Sequence, residues 1–109
     1  MIVSEKNVSD ALTYLADDPH PIARARKDLT DAENECTRLK AEVYSTQSGP
    51  VKDKEAATDC NPGVVEARAS VANALFDLER HRSRVRAAEM ILEIWRTENA
   101  NMRAAERIR

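Results

Sequence analysis

Between residues 22 and 43 an apolar side chain returns at the third and then the fourth position: Ile22, Ala25, Leu29, Ala32, Cys36, Leu39 and Val43. The residues between them are mostly charged or polar. This is the heptad pattern of a helix that buries one stripe against a partner helix; a strand would repeat every second residue. A second run is longer. Val64, Ala67, Val71, Ala74, Leu78, His81, Val85, Ala88, Leu92, Trp95, Asn99 and Met102 keep the same spacing. No Pro or Gly interrupts it after Gly63. At the usual rise, a helix of about 45 residues is about 70 Å long.

The breakers between these runs set the order of elements. Asp17-Asp18-Pro19-His20-Pro21 separates a short amphipathic stretch, with Val8, Ala11, Leu12 and Leu15 on one face, from the first long run. A proline disfavours helix in the residue before it, so the short helix is expected to stop near Asp17, and Asp18 is placed to cap the next helix. Ser48-Gly49-Pro50 ends the second helix, and Asn61-Pro62 reads as an N-cap with proline at the first helical position. The expected organisation is one all-α domain over residues 1–109. It has a short helix within 1–18, a helix over 19–44, a connector over 45–61 and a long helix from 62 onward. The connector reads either as a single helical turn at 52–57 or as a mobile loop. Folded back on each other, the two long helices form an antiparallel, coiled-coil-like hairpin with Val43 near Val64, Leu29 near Leu78 and Ile22 near Val85. Alanines at alternate seam positions suit a close approach of the two backbones.

Composition narrows the function classes. Aromatic residues are 4% of the chain and charged residues 33%, which fits a thin helix–helix core. The formal net charge of −2 steers the chain toward neither nucleic acid nor membrane. No stretch approaches the roughly 20 apolar residues of a membrane span, and the start of the chain lacks the pattern of a signal peptide. Two cysteines without a local motif point to a reducing compartment. His20, His81, Cys36 and Cys60 lack the close pairing of zinc ligands, and His81 and Cys36 fall on the seams, so neither metal nor cofactor is expected. There is no phosphate-binding glycine loop, nucleophile elbow or H-E-x-x-H, and the acids lie on solvated faces; the chain is not expected to be an enzyme.

The long helix overshoots its hairpin partner by about two dozen residues, and this end is the most apolar part of the chain. Residues 8–15 can fold back over some of it. Ile91, Leu92, Ile94, Trp95, Asn99 and Met102 are therefore the expected interface with a second copy or another protein, because exposed apolar surface of this kind marks an interaction site. Asn99 either sets register between partner helices or lies where the helix frays. The second candidate surface is basic. Arg80, Arg82, Arg84 and Arg86 succeed one another along the long helix, and the hairpin register brings Arg24 and Lys27 toward them. Every basic residue of that helix is arginine, whose planar fork suits phosphate and carboxylate. The patch is either a site for a nucleic-acid backbone or acidic partner, or an ordinary solvated face.

The stretch LFDLERHRSRVRAAEMILEIWRTENANMRAAERIR, entered through Asn61-Pro62, resembles the long C-terminal helix of small helical-hairpin accessory proteins of tailed phages and prophages encoded near recombination genes. The likeness covers roughly residues 60–109 and lies in texture, with Glu93-Ile94-Trp95-Arg96 leading into an Ala/Asn/Arg-rich tail. It implies a cytoplasmic protein of a bacterial host with an accessory part in DNA recombination or replication, or a small inhibitor of a host protein. The reading reached from the residues themselves is a non-enzymatic interaction module, homodimeric through the long helix.

Overall fold

The computed structural model describes residues 2–108. They form four α-helices and no strand: α1 (Glu5–Leu15), α2 (Pro21–Thr46), α3 (Val51–Cys60) and α4 (Pro62–Ile108). The chain is all-α with a short first helix and a long last one, as the spacing predicts.

Local chemistry sets the boundaries. Ser4 has extended backbone, and its hydroxyl accepts the Asn7 amide at 3.1 Å, satisfying a first-turn donor of α1. The other end is closed by the Ala16 amide, which donates to the Leu12 carbonyl at 2.9 Å, and the Asp17 amide, which donates to the Tyr14 carbonyl at 3.4 Å. The Asp18–Pro19 peptide bond is cis. Asp18 does not cap α2. That helix begins at Pro21, so the residue in reach of its first-turn amides is His20, whose Nδ1 accepts the Ile22 amide at 3.1 Å. At Gly49 φ is +102°, a conformation that other residues adopt only at a cost, and it turns the chain out of α2. Asn61 caps α4 as expected: its Oδ1 accepts the amides of Gly63 at 2.9 Å and Val64 at 3.3 Å, with Pro62 at the first helical position.

Contacts divide the chain into two compact units. One is Ala23–Glu79; the other gathers the described residues before Ala23 and after Glu79. In the Ala23–Glu79 unit, α2 and the first part of α4 form the antiparallel hairpin. Ala25, Cys36, Val64 and Leu78 are buried, and no seam position from Ala25 to Val43 or from Val64 to Leu78 is exposed. The side chain of Leu39 lies 3.5 Å from where a Cβ on Gly63 would sit, so α2 and the first turn of α4 are in contact there. The connector is the main departure. Residues 51–60 form a ten-residue helix, α3, rather than a single turn or a loop. It returns along α2 with the Lys54 ammonium 5.7 Å above the Tyr44 ring, and an Arg68–Asp59 ion pair ties it to α4. Thr58 is buried, its hydroxyl donating to the Lys54 carbonyl at 2.8 Å.

In the other unit α1 lies antiparallel on α4. At one end the Ile2 amide donates to Glu98 Oε1 at 2.7 Å; at the other the Tyr14 hydroxyl meets His81 Nδ1 at 3.0 Å. Ala11, Tyr14 and Ala88 form the core, with Leu15, Val85, Ile91 and Leu92 packed around them. Val3 and Val8 are buried as well. The buried face of α1 is thus turned from the expected one: Tyr14 is buried and Leu12 is 52% exposed. Tyrosine takes the inner position because α4 and the turn before α2 provide partners for both its ring and its hydroxyl. Arg84 stacks 4.2 Å above the ring, and His20 meets it edge-on at 4.8 Å.

Candidate interaction surface

The seam of α4 is covered from Val64 to Leu92 and opens beyond it. Trp95 is 37% exposed and Met102 51%, whereas Leu92 three residues earlier is half-buried against the α1 cluster. Helix α1 runs alongside Trp95, which shares a groove with Glu5, Val8 and Leu12, and only Met102 lies past its reach. The N-terminal lead of α1 ends beside Glu98, so nothing described from residues 2–4 extends to the last turns of α4. Of the six residues expected at a partner interface, Ile91 and Leu92 are held by the chain's own first helix. Ile94 and Asn99 are half-buried, and Trp95 and Met102 are open. The fold-back of residues 8–15 therefore covers the near part of the overshoot and leaves the far part.

Trp95 stands between two open grooves. On one side lies a groove of about 390 Å³ lined by Glu5, Val8, Ser9, Leu12, Thr13 and Trp95. On the other is one of about 400 Å³ lined by Trp95, Arg96, Asn99, Met102, Arg103 and Glu106. The exposed Leu12 belongs to the first, so the displacement of that side chain from the α1 core enlarges the same apolar patch. Around it, Arg96 pairs loosely with Glu93 at 3.5 Å, and Arg103 donates to the Asn99 carbonyl at 3.4 Å. Glu5 and Glu106 form no ion pair with any described residue. Leu12 is the member of this patch that helical spacing assigns to the core; only the burial of Tyr14 reveals it as surface.

The basic residues are placed differently. Arg24 and Lys27 belong to the Ala23–Glu79 unit, and Arg80, Arg82, Arg84 and Arg86 to the other. Lys27 is bound to Asp31 at 2.8 Å, and that hydrogen bond raises its pKa. Arg84 spends its charge on the Tyr14 ring, and Arg80 and Arg82 each have an interaction partner. Arg82 is half-buried. Cys36 is buried on the α2 seam, and Cys60 is exposed at the end of α3. Among the described residues, no three His, Cys, Asp or Glu side chains are grouped to hold a metal ion, and no helix is long and apolar enough to cross a membrane.

None of the known family models matches this chain, and no curated protein and no solved structure is detectably similar to it.

Proposed function

We propose that the chain is a non-enzymatic interaction module that self-associates through the open end of the α4 seam, with Trp95 at the centre of the contact. The observation that carries this reading is the break in burial along one continuous stripe. Seam positions through Leu92 are buried or half-buried, whereas Trp95 is 37% exposed and Met102 51%. Covering a large apolar side chain stabilises an association by about 1.5–3 kcal/mol, and tryptophan is among the commonest hot spots of protein interfaces. The arginine run supports a nucleic-acid surface less well, because ring stacking and other contacts already engage three of its four members.

Sedimentation velocity of the full chain over a concentration series tests this reading. The expected result is a reversible dimer, with Trp95→Ala weakening association by about tenfold or more. A monomer at every concentration, or a dimer indifferent to that substitution, would overturn it.

A further inference from the structure

The two grooves beside Trp95 are nearly equal in volume, about 390 and about 400 Å³, and share that one side chain. Each carries one exposed apolar knob, Leu12 at 52% and Met102 at 51%. Their charges are opposite. Glu5 is the only charged residue of the Leu12 groove, whereas the Met102 groove is edged by Arg96 and Arg103 with Glu106 at its far end. Glu5 has no ion-pair partner among the described residues, and Arg103 makes only a long bond to its own helix.

From this we infer that the patch is self-complementary: a second copy, related by a two-fold axis at Trp95, seats its Leu12 groove on the Met102 groove of the first, bringing each Glu5 to the other's Arg103. The inference rests on the self-association reading above and gives it a geometry. A two-fold contact uses one surface twice, so it requires both halves of a complementary pair on one chain. That requirement is met here, and a foreign partner would need only one half. The arrangement also closes at two copies, whereas a head-to-tail contact between two different patches would continue into a filament.

The test is a charge-swap pair read by sedimentation velocity on the full chain. Glu5→Arg alone places Arg against Arg103 at both contacts, and Arg103→Glu alone places Glu against Glu5 at both. Each is expected to weaken dimerisation by about tenfold or more, since like charges face each other twice. An equimolar mixture of the two pairs Arg with Glu at both contacts and is expected to dimerise within a few-fold of the wild type. Because Glu5 lies in the first turn of α1, a second readout is used: copies carrying Leu12→Cys and copies carrying Met102→Cys, both also Cys60→Ser, are mixed under a mild oxidant. Disulfide-linked heterodimers should exceed either homodimer by well over the twofold that random pairing gives.

Wild-type dimers that persist in both single swaps overturn the two-fold arrangement while leaving self-association standing. Failure of the mixture to recover, together with no preferred Leu12–Met102 cross-link, also overturns it. A wild-type chain that stays monomeric removes both this geometry and the reading beneath it.

Discussion

The two compact units solve the same problem, burying an apolar stripe of α4, in different ways. In the Ala23–Glu79 unit the stripe faces an equally regular stripe on α2. Small residues such as Ala25 and Cys36 are buried at the contact, and every seam position is covered. In the other unit the stripe faces α1, an 11-residue helix that is too short to reach its end. This second contact adds to small apolar residues, Val8, Ala11 and Ala88, one aromatic residue with polar partners. Tyr14 is bonded to His81, stacked under Arg84 and approached by His20. One unit is closed along its whole seam, and the other is closed along α1 and left open beyond it at Met102.

Truncation within the closed seam should do the most damage. Leu78 is 3% exposed, and Leu78→Ala should cost about 2–5 kcal/mol of stability through lost burial and the cavity left behind. Chemical denaturation of the wild type and variant checks it. Trp95→Ala, measured at a concentration where the chain is monomeric, should cost less, because that side chain is already partly in water and leaves no enclosed cavity. Equal costs at the two positions would erase the distinction between a closed and an open seam.

Much of this difference is legible in the residues. The 3,4 spacing locates both seams, and the breakers Pro19-His20-Pro21, Ser48-Gly49-Pro50 and Asn61-Pro62 place the ends of α2 and the start of α4. Met102 stands out because the seam runs past the reach of α1, whereas Trp95 lies beside α1 and its partial exposure carries no such signal. Two features are not legible. Helix α3 carries no apolar stripe of its own and is held by contacts with distant residues, Lys54 on Tyr44 and Asp59 with Arg68. The exchange of Leu12 for Tyr14 on the inner face of α1 has the same origin. Apolar spacing favours leucine, whereas the partners that make a tyrosine suitable there come from residues 20, 81 and 84. Spacing reports only what a helix offers to a generic apolar neighbour.

A more modest loss is expected at the clamp. Tyr14→Phe keeps the ring under Arg84 and removes the hydroxyl, leaving His81 Nδ1 without that partner. The expected cost is about 0.5–1.5 kcal/mol, the usual worth of one such hydrogen bond. The loss should be local. Hydrogen exchange of the α1 amides should accelerate in the variant while amides of α2 and α3 keep wild-type protection. Uniform acceleration across all four helices would show that the two units open together and that their difference has no energetic content.

The solvated face of the closed unit should matter least. Arg38 pairs with both Glu35 and Glu42 along α2. Its hydrogen bond holds the Glu35 carboxyl below its ordinary value of 4.5, and the same contacts raise Arg38 further above its own. A carboxyl lowered on folding contributes stability that is present above its unfolded value and lost as the pH falls through the folded one. Thermal melting of the wild type should therefore exceed that of Arg38→Gln slightly at neutral pH, and the gap should close as the pH drops below 4.5. These side chains are more than half exposed, so the gap is small and shrinks with added salt. A gap that persisted unchanged in acid would mean that Arg38 stabilises α2 through its aliphatic stem. In that case the exposed face, like the seam behind it, would be held by packing rather than by charge.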